Sequence, residues 1–356
     1  MSETLSIEHS WGTPLNVFYC PHCQSAHLAP SEVTLTTCPA CMQAAVSSQP
    51  ESLRREPPEL LIPYAIDNQQ ASDALTRWSK GMWFRPQDLR AELLLSRVRP
   101  YYLPLWLVDT DVEATWQAEM GFDYQAASYR ERYQGGSWKS EQITETRVRW
   151  EPRVGRLKRH YDNLAVPALQ EHDKWMTGLG GYDYRSRRPY TAQAIEHSVV
   201  RIPDHAPDAA WPDAEYVIER STSAECKNAG QADHIRSWAM QPQYDHLQWT
   251  QMLVPAYVTS YTEDGIAYPV WINGQNGTVY GIKHLSQRKA VVTSLVLGAC
   301  AAFLFLVGIL LALIGAALIL PLVLGILFVA IGVLLGLLAP VPAIWVWFKN
   351  RRAGKP

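Results

Sequence analysis

Residues 290–348 read AVVTSLVLGACAAFLFLVGILLALIGAALILPLVLGILFVAIGVLLGLLAPVPAIWVWF, 59 consecutive positions without a charged side chain. One unbroken helix of that length would reach about 88 Å at ~1.5 Å per residue, whereas a hydrocarbon layer about 30 Å thick is crossed by about 20 residues. The run must fold back on itself. Small residues ending in a proline mark 315–321 as the break, because proline forfeits a helical hydrogen bond. The expected spans are 292–314 and 322–346, which together form a two-helix transmembrane hairpin over 290–348. The alternative is a helical hairpin buried inside a larger soluble fold.

Charge outside the run sets its orientation. Arg288 and Lys289 precede it, and Lys349, Arg351, Arg352 and Lys355 follow in a basic tail over 349–356. Two spans return the chain to the side it left, and an excess of Lys and Arg marks that side as cytoplasm. The expected location is the plasma (inner) membrane, with both termini cytoplasmic. Trp345 and Trp347 suit the headgroup level, where indole rings concentrate. Gly332 and Gly336, with Gly308, Ala312 and Ala316 on the other span, are small enough for two helices to approach closely. The same pattern leaves room for an oligomer. The N-terminus lacks the basic start and apolar stretch of a signal peptide.

Upstream of the run the composition is that of an ordinary soluble protein, and the formal net charge of −2 implies no global electrostatic partner. Residues 1–50 carry four cysteines, and a polar, proline-rich linker at 51–59 separates them from the rest of the chain. Residues 60–286 suffice for one large cytoplasmic domain. Its first helix is capped by Asp67 or Asn68 and runs through Ala71, Leu75 and Trp78 to Gly81, and a second starts after Pro86. YYLPLWLVDTDVEATW reads as strand. Residues 141–150 alternate, and 153–160 are expected to return across a turn at Gly155. Residues 213–238 look helical after an irregular, proline-spotted segment at 188–212. Residues 252–282 form the clearest β signal, a meander punctuated at Asp264-Gly265 and Asn273-Gly274. The fold class is α+β, with a mixed, mainly antiparallel sheet. A proline inside an aromatic run in both β-rich parts hints at two related halves.

Cys20-Pro-His-Cys23 and Cys38-Pro-Ala-Cys41 form a C-x2-C, gap, C-x2-C pattern. Each short turn presents two thiolates, and two turns complete a tetrahedron, so Cys20, Cys23, Cys38 and Cys41 are the candidate ligands of a Zn2+ ion in an N-terminal zinc ribbon. Two disulfides, a redox pair or an iron cluster are the competing readings; reducing cytoplasm disfavours the first and the doubled motif the second. With four ligands supplied, no coordination position is left for a substrate. His22 and His27 are close enough to be alternative ligands, but with four cysteines to satisfy the metal they read as surface residues. Residues 1–50 contain no Lys or Arg, which points to protein rather than nucleic acid as the partner of this part.

Residues 147–160, RVRWEPRVGRLKRH, carry six Arg or Lys against one Glu. They read as a solvated basic face, or as a contact for anionic lipid headgroups or nucleic acid. Eleven tryptophans between 60 and 285 read mainly as core. Glu171-His172-Asp173, Asp233-His234 and Asp245-His246 place acids beside histidines without a nucleophile pattern, and Gly178-Leu-Gly-Gly181 lacks a phosphate-binding context. No catalytic residue is expected, and the chain reads as no enzyme.

The cysteine quartet, Leu61-Ile-Pro63, Trp83-Phe-Arg-Pro86, Tyr102-Leu-Pro-Leu-Trp106, Met252-Leu-Val-Pro255 and Val270-Trp-Ile-Asn-Gly274, with the apolar hairpin after them, span most of the chain. In this order they resemble a bacterial group of zinc-ribbon membrane proteins, many carrying labels borrowed from primosomal helicases or replication factors. A helicase would need a G-x-x-x-x-G-K-[ST] loop, and none is present. The resemblance implies instead a non-enzymatic, membrane-anchored adaptor or scaffold that recruits membrane-associated proteins, of the SPFH or phage-shock envelope-stress type. Gln24 and Met42 depart from it, standing where such knuckles often have glycine. The alternative function is membrane-associated nucleic-acid binding through 147–160, and a third is a ligand held in the aromatic-rich domain.

Overall fold

The computed structural model describes residues 10–43, 56–314 and 319–354. In chain order the elements are β1 (Leu15–Tyr19), β2 (Ala26–Pro30), β3 (Leu60–Leu61), α1 (Asn68–Ser79), α2 (Ala91–Leu95), β4 (Arg99–Gln134), β5 (Ser137–Val166), α3 (His172–Leu179), β6 (Arg188–Pro189), β7 (Val199–Arg201), α4 (Pro207–Ala229), β8 (His234–Glu263), β9 (Ile266–Asn273), β10 (Val279–Gly281), α5 (Gln287–Ile314), α6 (Ile319–Leu338) and α7 (Val341–Ala353). The fold is α+β, and these strands join one sheet. Its order is β1-β2-β7-β4-β8-β3-β6, with β5 also on β4, β9 on β8 and β10 on β9.

The frame is the long strand β4. Residues 101–108, YYLPLWLV, are buried without alternation, as befits a strand covered on both faces. Here β4 has β7 on one side and β8 on the other. Trp106 and Val108 pack with Val112 and Ala114 under α4, whose buried Ala210, Ala214, Ile218, Thr222 and Cys226 recur every four residues as a single helix face. Farther along, β5 pairs with β4 from Trp106–Val166 to Gln134–Ser137, while β8 stops at Gly121–His234. Beyond that point β4 and β5 run on as a two-stranded ribbon, residues 122–149, with no buried residue.

Three expectations are corrected here. No turn occurs at Gly155; β5 is continuous, and the hairpin turns at Gly135 and Gly136, both with positive φ. Gly155 instead makes room for Trp116, because an added Cβ would lie 2.5 Å from its indole ring. The helix expected over 213–238 begins earlier, at Pro207, and ends at Ala229; Trp238 lies in β8, where pairing with β4 outweighs local helical pattern. The segment 188–212 also supplies β6 and β7. The meander is present, with Asp264 and Gly265 at positive φ as a two-residue hairpin turn requires.

Helix α1 starts at a reciprocal capping box: Asp67 accepts from the Gln70 backbone N–H, and the Gln70 side chain accepts from the Asp67 N–H. After it, Phe84 lies at φ 58 and its carbonyl accepts from Ser286 N–H at 2.8 Å, fastening the 80–86 loop to the start of α5. Met82 and Phe84 pack on Leu285, Ala290 and Val346.

Helices α5 and α6 are long and apolar enough to cross a membrane, and only 11% and 17% of their most apolar stretches are buried. They are therefore not a hairpin buried in this chain's own core. Residues 315–318 of the expected break lie outside the described residues, and Pro321, its last residue, lies within α6. The second expected span, 322–346, is instead interrupted at Ala339 and Pro340, after which α7 begins. Gly308, Gly325 and Gly332 permit the close pairing of α5 and α6: an added Cβ at Gly308 would lie 2.6 Å from the Val329 backbone nitrogen. The two ends of the apolar segment meet, since Asn350 exchanges hydrogen bonds of 2.8 Å with the Leu285 backbone in both directions.

Candidate metal centre

The β1–β2 turn carries Cys20 and Cys23, and the loop after β2 carries Cys38 and Cys41. All four Sγ atoms lie within 4.8 Å of one another. Cys20 and Cys41 are 3.7 Å apart, as are Cys23 and Cys38. A tetrahedron with metal–sulfur bonds of about 2.3 Å has edges of about 3.8 Å, so the quartet has the dimensions of a closed four-sulfur site. The knuckles are shaped by backbone bonds from Cys20 N–H to Ser25 O at 2.8 Å and from Cys38 N–H to Gln43 O at 3.2 Å. Gln24 and Met42 take φ of 55 and 57, the left-handed conformation that glycine adopts without strain. The knuckle geometry is thus kept where the residue type departs.

Charge makes the same demand for a cation. Without one, hydrogen bonding from Cys38, then from Ser25, Cys41 and Cys20, lowers the Cys23 pKa to about 4 against the effect of burial. That bond to Cys23, together with burial, pushes Cys38 up, and burial raises Cys41 to about 12. Burial and sulfur–sulfur contact thus resist ionisation of Cys38 and Cys41, and only a cation at their centre would offset that resistance. Four thiolates in this space need a metal ion between them.

Behind the sulfurs lies a buried relay. His27 is fully buried in β2, not at the surface as expected. Its Nε2 lies 2.9 Å from Ser25 Oγ and 3.4 Å from Cys38 Sγ, while its Nδ1 lies 2.8 Å from Tyr101 Oη. Burial first, and the Arg201 charge second, keep the imidazole neutral, and burial keeps the Tyr101 phenol protonated. With Tyr101 O–H donating to Nδ1, Nε2–H faces Ser25 Oγ at 2.9 Å with Cys38 Sγ behind it, and Ser25 O–H is free to donate to Cys23 Sγ at 2.9 Å. Sequence reading missed this role because His27 was weighed as a ligand or a surface residue, not as a buried support. Its place in the strand leaving the first knuckle was the available signal.

A ribbon set apart by a linker was expected, and the linker is described only from Glu56. In the structure β2 pairs with β7, and β7 pairs in parallel with β4 at Tyr101 and Tyr102, so the metal site is built onto the central sheet. The bridge is the segment that carried no recognisable motif.

The remaining candidates separate. Each of the six cations in 147–160 has a carboxylate within ion-pair distance: Glu145 for Arg147, Glu151 for Arg149 and Arg153, Glu113 for Arg156 and Lys158, and Glu225 for Arg159. In two of the three acid–histidine neighbours the histidine bonds a carboxylate on another strand instead, while Glu171, at the start of α3, bonds Lys174. Asp111 bonds His160 at 2.8 Å and His246 at 3.0 Å, and Asp123 bonds His234 at 2.8 Å, all in exposed positions. Trp106, Trp175 and Trp271 fill the core, whereas Trp83 and Trp138 are exposed. Gly178 lies in α3 against Tyr280. Cys226 is buried in α4, and Cys300 is exposed on α5.

Compared with known proteins, the chain matches no family model, no curated protein and no solved structure.

Proposed function

We propose that this chain is a cytoplasm-facing, non-enzymatic adaptor, anchored in the plasma (inner) membrane by two spans, that recruits membrane-associated proteins to the bilayer. The observation that carries the reading is the bare apolar surface of α5 to α7, where Phe303, Leu306, Leu310, Leu313 and Leu337 stand exposed. Hydrocarbon is the solvent that suits such a surface. Basic residues at both ends of the segment favour the cytoplasmic side, and reduced thiols belong to the same compartment. Zn2+ is the proposed ion, because a closed tetrahedron of four thiolates is its usual structural site. The partners proposed first are proteins of SPFH or phage-shock envelope-stress systems, on the family resemblance; the exposed ribbon, with Tyr129, Tyr133 and Trp138, is the surface proposed to hold them. The carboxylates beside every cation of 147–160 speak against nucleic acid as the cargo.

Two measurements test this. Affinity capture of the full chain from gently solubilised membranes should return specific proteins, which disappear when residues 126–145 are replaced by a short turn; an unchanged set would reject the ribbon as the docking element. Cysteines introduced at either terminus should resist impermeant reagents in intact cells, and labelling from outside would overturn the orientation.

A further inference from the structure

Two grooves flank the 80–86 loop where it meets the apolar helices. One is lined by Arg85, Arg90, Arg288 and Lys289 but also by the carboxylates of Asp88, Glu263 and Asp264. The other is a groove of about 670 Å³ between the loop, the chain before α5 and the start of α7. Lys80, Lys283 and Lys349 line it together with Trp83, Leu285 and Trp345, and no carboxylate does. None of the three lysines is in an ion pair among the described residues. Lys283 lies 5.2 Å over the Trp78 ring and Lys349 lies 5.9 Å over the Trp345 ring.

We infer that this groove binds the phosphate headgroup of an anionic membrane lipid, with the acyl chains lying along the apolar start of α7. The inference rests on the membrane anchoring proposed above. Three cations line one groove that has no carboxylate in its lining, at the level where the apolar segment begins and ends, fixed by the Leu285–Asn350 bonds. That is the depth of lipid phosphates, and lysines and tryptophans are the residues that settle there.

The loop is built for the position and does not hang free. Phe84 is held at positive φ, an uncommon conformation for an aromatic residue. Its backbone is fixed by Ser286 N–H, and the neighbouring Arg85 carbonyl by Lys289 Nζ at 2.7 Å. Phe84 faces the helices, and the adjacent Trp83 is left 76% exposed. In water that exposure is unfavourable; at a headgroup it is a contact.

The test is native mass spectrometry of the full chain in detergent with phosphatidylglycerol or phosphatidylcholine of equal chain length. The wild-type chain should retain phosphatidylglycerol with roughly tenfold preference or more, as three convergent basic residues imply. Lys80→Gln, Lys283→Gln and Lys349→Gln combined should abolish that preference, Trp83→Ala should weaken retention of both lipids, and Lys139→Gln at the ribbon tip should change nothing. Unaltered metal content in the triple variant confirms that it is folded. Equal retention of both lipids by the wild-type chain, or an undiminished preference in the triple variant, would overturn the site. Displacement of the lipid by millimolar glycerol phosphate would assign the groove to a soluble phosphate and overturn the lipid as occupant. Release of the wild-type chain from membranes by alkaline carbonate would overturn the anchoring and the lipid site together; its retention with no lipid preference would overturn the site alone.

Discussion

Over residues 101–108 every side chain of β4 is buried, whereas over 122–134 the same strand has none that is. The inner stretch reads YYLPLWLV and the outer one FDYQAASYRERYQ. Both make strand with equal regularity. What differs is cover: β7, β8 and the cysteine ribbon surround the inner end, while β5 alone accompanies the outer end. Composition tracks the cover above and beside the strand, more than any intrinsic preference for extended backbone. The metal site belongs to the covered end, and Tyr101 is the residue that ties it there.

The largest effect should come from removing the metal. Cys20→Ser or Cys38→Ser should abolish stoichiometric metal binding, measured by atomic emission, and lower Tm by roughly 10 °C or more, because coordination energy is folding energy in a unit this small. A variant that loses the metal and keeps its Tm would break the link between ribbon and sheet. Tyr101→Phe sharpens the same link. It leaves His27 Nδ1 buried without a donor, at a cost of about 1–3 kcal/mol, and should weaken metal affinity about tenfold or more in competition with a chromogenic chelator. Unchanged affinity would reduce the relay to packing. Gln24→Gly should stabilise by up to about 1 kcal/mol, by relieving a left-handed residue, as read by chemical denaturation; a clear loss would mean that the glutamine makes contacts beyond its backbone. The smallest effect is expected at the bare end. Replacing 126–145 by a short turn should alter stability by less than about 0.5 kcal/mol, since nothing packs on these residues. A large loss would show that the ribbon is covered after all.

The parts written in local chemistry were readable beforehand. The helix start at Asp67 or Asn68, the paired cysteine knuckles, the Asp264-Gly265 turn and the uncharged run each depend on neighbours in sequence. What escaped depended on neighbours in space. Three residues, Val199–Arg201, become a strand only because β2 and β4 lie on either side. Gly155 resembles a turn until Trp116 is placed against it, and Pro340 and Pro342 inside the expected second span outweigh its uniform apolarity. His27 is the most instructive case: histidines near cysteines invite a ligand-or-surface choice, and burial by a distant tyrosine is a third answer that no spacing contains.

The position of the basic stretch 147–160 is set by register alone. It pairs with residues 111–124 of β4, at least 12 residues, or about 40 Å of strand, beyond Arg99. Val98, just before β4, and Met82 of the 80–86 loop border the same core cluster, so these cations are carried away from that end.

The length of β4 gives the molecule an unusual reach. Paired with β8 only as far as Gly121 and with β5 to the end, with register shifts near Asp109 and Ala118, it carries its tip far from the covered core. Tyr133 stands 25 residues, or roughly 80 Å of strand, beyond Val108, where the buried stretch ends, so the aromatic tip with Trp138 samples space that the rest of the sheet does not.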